Sequence, residues 1–116
     1  MNILAGGKLT GISSKECVEA CLRCMIVCQD TGLTYLNAGM KECAQLCLDC
    51  AEICDLCSTL IIKNADCTPD ICALCEDICT ACAQQCRDQA VQAESCKVCA
   101  IACEACAEEC ARAYAA

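Results

Sequence analysis

Over the first third of the chain, small apolar side chains recur at intervals of three and four, with charged residues falling between them. Positions 17, 21, 24 and 28 form one such row. At about 100° per residue they lie within roughly 60° of one another on a helix, whereas a strand would scatter them over both faces. Glu16, Glu19 and Arg23 share a polar side, while Val18, Leu22, Met25 and Ile26 flank the row on the other, so the row is expected to face inward. The same alternation of three and four returns over 40–61, 72–86 and 96–110. The pattern therefore predicts four amphipathic helices.

Local signals mark their ends. Ser13 with Glu16 reads as a capping box before the first row, and Gly32 as a stop after it. Asn37 or Gly39 is expected to open the second helix and Asn64 to close it. Thr68, Pro69 and Asp70 supply an N-cap, an N1 proline and a first-turn acid. Between the third and fourth rows, Arg87 to Ser95 is a short polar connection of the kind that joins antiparallel neighbours. Helices are expected over 14–31, 40–63, 69–88 and 95–113 of one domain spanning 1–116, with 1–12 a flexible N-terminal segment. The halves 17–57 and 72–110 are similar enough to suggest duplication of a helical hairpin. The fold class is all-α, an antiparallel four-helix bundle.

What occupies the rows changes the picture. They are Cys17, Cys21, Cys24 and Cys28; Cys43, Cys47, Cys50, Cys54 and Cys57; Cys72, Cys75, Cys79, Cys82 and Cys86; and Cys96, Cys99, Cys103, Cys106 and Cys110, with Cys67 just ahead of the third. Met40 and Ile61 fill the end slots of the second row, bracketing its thiols with a thioether and a hydrocarbon. The chain has 20 Cys but 2 Tyr and no Phe, Trp or His, so thiols, not aromatic rings, line the core.

Cysteine at this density often marks a secreted disulfide scaffold. Here Met1 to Gly11 shows only the short apolar run Ile3, Leu4 and Ala5, with no secretory signal, and no stretch approaches the roughly 18 apolar residues of a membrane span. The expectation is a cytoplasmic protein with reduced thiols. The net charge of -8 argues against nucleic acid and anionic membranes as partners.

Packing alone accounts poorly for the rows, because a Cys seam is underfilled relative to Leu at roughly 1 kcal/mol per missing methylene. Disulfides within a helix would be strained, since Cβ atoms three or four apart sit about 5 to 6 Å apart and a disulfide needs about 3.5 to 4.5 Å. Cross-helix disulfides stay open, as in a disulfide-braced interaction bundle. A soft cation between two sulfurs spans roughly 4 to 5 Å and fits the spacing without strain. Thiolates and a thioether without imidazole favour Cu(I), with zinc or another soft metal as the alternative. A ferredoxin run needs two successive gaps of three, which never occur. Without His or a phosphate loop, no catalytic or organic-cofactor site is expected, and the chain reads as a non-enzyme.

The segments Cys17 to Cys28, Asp49 to Cys54 (DCAEIC), Ile71 to Cys79 (ICALCEDIC) and Cys96 to Cys110 resemble the bacterial copper storage proteins, over about 100 residues. The resemblance implies a four-helix bundle whose inward cysteines bind many Cu(I) ions, assembled as a homotetramer, and it points to the cytosolic branch. It also implies that the ligands are the cysteines of the four rows, Cys67 being the least secure. Met40 is either a first-contact ligand at a bundle mouth or a packing residue. The partners expected are copper ions, further copies of the chain and a protein that donates or accepts copper. The chain departs from the family in having no histidine, which cytosolic members carry at one mouth, around the connection that here reads Arg87 to Ser95.

Overall fold

The computed structural model describes residues 11–89 and 94–114, and these form four helices: α1 (Gly11–Asn37), α2 (Lys41–Lys63), α3 (Thr68–Asp88) and α4 (Glu94–Tyr114). Each helix packs against two others, α1 and α3 both lying between α2 and α4, while the diagonal pairs do not approach. The result is a slender square bundle of 48 × 18 × 17 Å, antiparallel at every neighbouring contact. No strand occurs among the described residues.

The expected number and order of helices hold, but α1 is longer than its end signals suggested. It begins at Gly11 and passes through Gly32 to Asn37, so Ser13 lies inside the first turn instead of capping it. The expected flexible segment 1–12 therefore gives up its last two residues to α1, and 1–10 lie outside the described residues. Gly32 is no stop: it is buried against α2, where a Cβ would meet Leu48 Cδ2 at 2.9 Å and Cγ at 3.1 Å. The tertiary contact, not chain termination, favours a small residue here.

Termination falls to Gly39 at φ +77°, with Met40 N–H donating to Tyr35 C=O at 2.9 Å and Gly39 N–H to Leu36 C=O at 3.0 Å. This pair of bonds is a Schellman close, so Asn37 and Gly39 end α1 and do not open α2. Asn64 does close α2, at φ 56° and ψ 45°. Thr68 corrects a further expectation. It is the first residue of α3 and not its cap, and its hydroxyl instead donates to Ala65 C=O at 2.6 Å, with Leu60 C=O at 3.2 Å, reinforcing the backbone bonds that these two carbonyls accept from Thr68 and Ala65 N–H in the α2–α3 turn.

Leu22 and Ile26 also differ from expectation. Val18 and Met25 pack at the edge of the core, but Leu22 and Ile26 are exposed, Ile26 at 61%. They sit about 140° and 180° round the helix from Cys17, on its far side. Close packing comes from small residues instead: Ala44, Ala51, Ala83, Ala100 and Ala102 are all buried. Between α3 and α4 the guanidinium of Arg87 grips Glu104 through two bonds of 2.6 and 2.7 Å on the exposed face.

The Gly32 contact sets a stability test. Gly32→Ala should be close to neutral, because about 1 kcal/mol of helix propensity offsets a clash that the flexible end of Leu48 can relieve. Gly32→Val should cost about 1–3 kcal/mol by overpacking, partly recovered by Leu48→Ala, as read by denaturant unfolding followed by circular dichroism.

Candidate metal centre

The antiparallel contacts set one register for the whole interior. Between α1 and α4 the thiols meet as Cys17–Cys110 at 3.8 Å, Cys21–Cys106 at 3.7 Å, Cys24–Cys103 at 3.7 Å and Cys28–Cys99 at 3.6 Å. Between α2 and α3 they meet as Cys57–Cys72 at 3.2 Å, Cys54–Cys75 at 3.9 Å, Cys50–Cys79 at 3.6 Å and Cys47–Cys82 at 3.7 Å. In each set one partner climbs its helix as the other descends, by the same alternating steps of four and three. Two four-rung ladders of sulfur thus stand face to face.

They join in the middle. Cys54 reaches Cys106 at 3.8 Å and Cys50 reaches Cys103 at 3.9 Å, across the diagonal that the backbones leave open. Contacts within one helix occur four residues apart, at 3.8 Å for Cys24–Cys28 and Cys99–Cys103 and 3.9 Å for Cys75–Cys79. Cys28 lies nearer to Cys103, at 3.5 Å, than to Cys24. The spacing within a helix therefore supplies only part of the sulfur cage, and the cross-helix register supplies the shorter contacts.

Groups of four thiols fall within 4.8 Å of one another at successive levels, among them Cys24, Cys28, Cys50 and Cys103, and Cys47, Cys82, Cys86 and Cys99. All 20 cysteines are free thiols. The buried polar residues described are Thr31, Ser58 and Thr68, so no charged side chain shares the interior among the described residues.

Thiols this crowded cannot behave alike. Hydrogen bonding from Cys103 first, then from Cys106, Cys28 and Cys50, holds Cys24 below the ordinary thiol range, against the opposing effect of burial. Cys82 is lowered in the same way, chiefly by Cys103. Conversely, Cys54 is held up by its bonds to Cys106, Cys21, Cys24 and Cys50, and Cys103 by those to Cys24, Cys28, Cys50 and Cys82, with burial adding to both. Cys106 itself is brought down to about 7: its bond to Cys110 raises it, but those from Cys21 and Cys54 prevail. Some thiols are poised to lose a proton and others to keep one.

The ends of the column differ. At the end formed by the start of α1, Cys17, Cys57, Cys72 and Cys110 are covered, with Ile61 buried beside the core and Tyr114 packed against it. At the other end Cys86 and Cys96 are buried, Cys43 is half-exposed, and Met40 packs at the margin. A surface depression lined by Met40, Cys43 and Gln89 opens there. Gln85 Nε2 donates to Cys43 C=O at 3.0 Å and lies 4.0 Å from Cys47 Sγ.

Of the residues singled out in the sequence, the structure brings 18 of the cysteines into sulfur groups or ladder rungs or onto their last buried level, from Cys17 to Cys110. It sets Cys43 and Met40 at the mouth and leaves Cys67 exposed, ahead of α3 and five residues from Cys72, out of phase with the row. Sequence reasoning missed Thr31 and Tyr35. Both are fully buried, and both continue the three-four series beyond Cys28. The signal was there, hidden by reading Gly32 as a stop.

A four-helix bundle with a continuous core of free thiols defines a helical, multi-thiolate protein for soft metal ions. The profile of the family described as Csp, copper storage protein, matches residues 11–115. Apo copper storage protein 3 from Bacillus subtilis is 36% identical, with 88% of this chain and 99% of that one covered and a TM-score of 0.79. A Cu(I)-bound structure of the protein called BsCsp3 is also 36% identical, covering 90% and 99% at a TM-score of 0.81. A cytosolic copper storage protein from Streptomyces lividans, holding five coppers, is 28% identical, covering 90% and 94% at 0.83. No curated protein sequence matches. The chain belongs to the copper storage protein family.

The thiols held above their ordinary range give a pH prediction for the metal-free protein. Cys54 and Cys103 keep their protons in the fold above the ordinary value of 9.0, at which an unfolded chain begins to release them. Their contribution to stability is complete below that value and is lost as pH rises beyond it. Anaerobic thermal unfolding should show the apo midpoint falling from about pH 9 upward. The metal-loaded protein, with those protons already displaced, should show little of this fall.

Proposed function

We propose that this protein stores Cu(I), holding many ions per chain between the thiolates of its core. The observation that carries the reading is the pair of sulfur ladders, with contacts of 3.2 to 3.9 Å on eight rungs, in an interior that has no charged side chain among the described residues. Each Cu(I) that enters displaces thiol protons to solvent and bridges sulfurs from neighbouring helices. One Cu(I) cancels one thiolate, so a core in which each sulfur bridges two metals stays neutral and approaches about one ion per buried cysteine. Zn(II) in a four-thiol group would leave a buried double negative charge with no cation near it, which disfavours the zinc alternative.

The ligands in this reading are the buried row cysteines, with Cys43 and Met40 meeting the ion at the open end. Cys67 has no part in it. The protein acts as a binder and not as a catalyst, because near-equivalent thiols without an acid–base partner suit capacity better than turnover. It works in the cytosol, the compartment given for the Streptomyces lividans protein, where thiols stay reduced. The homotetramer implied by the family resemblance is supported by the exposed apolar stripe of Leu22, Ile26, Leu33 and Leu36 along α1, a face suited to another copy of the chain.

Anaerobic titration with Cu(I) against a chromophoric chelator tests the storage reading. The expected plateau is well above ten ions per chain, on the order of one per buried thiol, and a plateau at one or two would point to a chaperone or sensor. Cys67→Ser should leave the plateau unchanged. Cys50→Ser or Cys79→Ser should lower it by about one or two ions, since neighbouring thiolates share what remains. Loading should also raise the thermal midpoint, because ions that bind only the folded bundle stabilise it by mass action.

A further inference from the structure

The last level of the core departs from the four below it in one respect. Following the ladder register one step beyond Cys47–Cys82 pairs Cys43 with Cys86, and one step beyond Cys28–Cys99 pairs Thr31 with Cys96. On α1 the sulfur gives way to a hydroxyl. That hydroxyl is already engaged, since Thr31 Oγ1 donates to Ser95 C=O at 3.0 Å and ties the start of α4 to α1. The next slot of the α1 row is Tyr35, the largest fully buried side chain among the described residues.

Burial and the nearby thiols of Cys96 and Cys86 hold the phenol above its ordinary range, yet its buried oxygen meets no group in full hydrogen-bonding geometry. For packing alone this is a costly choice. A phenylalanine would fill the same space without leaving a donor desolvated and poorly paired, at about 1–3 kcal/mol. A protonated thiol is a weak acceptor and offers the phenol little. A thiolate is a strong one, and charge-assisted bonds are roughly twice as strong as neutral ones.

We propose that Tyr35 is a positioning residue for the outermost metal layer, donating its O–H to the sulfur of Cys96 or Cys86 only once a metal ion has replaced the thiol proton. The step balances simply: the S–H bond breaks, its proton leaves to solvent, a sulfur–metal bond forms, and the phenol keeps its own proton while gaining an acceptor. The bond is made in full geometry only in the loaded state, so the strength it gains there adds to metal affinity at this level. It also gives the layer nearest the open end a fourth polar group where α1 provides no sulfur. This inference rests on the copper storage reading and adds a residue to it.

The test compares the wild type with Tyr35→Phe in anaerobic Cu(I) titrations against competing chelators. Tyr35→Phe should fold, with an apo midpoint equal to or above that of the wild type, and should keep the wild-type capacity. It should loosen one or two of the bound ions about tenfold to a hundredfold, the worth of a hydrogen bond to a charged acceptor. In a Cys86→Ala, Cys96→Ala background the same change should add no further loss, because the acceptors are gone. A second measurement leaves Tyr35 in place. With tyrosine labelled at Cζ, and the two signals assigned through Tyr114→Phe, the Tyr35 carbon resonance should move when Cu(I) loads. The proposal is overturned if the Tyr35→Phe curve superimposes on the wild type, if the loss spreads evenly over all ions, or if the Tyr35 resonance stays where it was. If the wild type itself takes up only one or two ions, the storage reading fails instead, and the two failures are told apart in the same titration.

Discussion

Register between antiparallel helices is the constraint on which the rest of this molecule depends. A helix row with alternating steps of three and four can meet its antiparallel image only if every step of four faces a step of four. Here the α1 row from Cys17 to Cys28 and the α4 row from Cys110 to Cys99 do this over four rungs, as do Cys57 to Cys47 on α2 and Cys72 to Cys82 on α3. A shift of one residue would turn one row away from its partner and leave thiols facing solvent. Features remote from the sulfur serve this alignment. Gly32 admits Leu48 at the α1–α2 contact, the Gly39 turn ends α1 in a Schellman close, and Thr68 fastens the α2–α3 turn to the carbonyls of Leu60 and Ala65.

The same arrangement reconciles two demands that usually conflict. A stable bundle wants its seam filled with large apolar side chains, whereas a metal store wants ligands. Cysteine satisfies both in part, as a small hydrophobe with a weakly polar sulfur that can be buried neutral at little cost. The buried alanines beside the rows let the helices come close enough for sulfurs to touch across the diagonal, as Cys54 does with Cys106. What is sacrificed is bulk, and bridging metal supplies the missing cross-links. In the proposed Cu(I) store, charge neutrality would keep the exchange feasible, because one monovalent ion would replace each proton lost.

Function follows from how these thiols differ by level. In the middle, sulfurs have sulfur neighbours on every side, and their protonation is shared. At the open end the ring of sulfur is incomplete, and oxygen takes over on α1 through Thr31 and Tyr35. This chain has no histidine and places a phenol, a thioether and a half-exposed thiol at that end. The core and its mouth are therefore separate chemical problems within one fold.

Much of this was legible in the sequence. The three-four spacing determined the helices and the inward face, the residue type in those slots determined a thiol core, and the absence of imidazole together with the repeated motifs pointed to copper and to the family. Those properties are local, set by helix geometry and side-chain chemistry along one segment at a time. Misreadings arose where a local signal competed with a tertiary one. Gly32 looks like a helix stop because glycine often is one, but here it is spared a Cβ by Leu48 of another helix. Leu22 and Ile26 read as flanks of the core because they are apolar, although their angle from the row turns them outward. Which sulfur faces which, that Cys67 lies outside the column, and that Tyr35 ends buried without a partner in full hydrogen-bonding geometry were decided only by the tertiary structure. Each depends on the relative register and approach of separate helices, and a period read along one helix carries no information about its phase against the next.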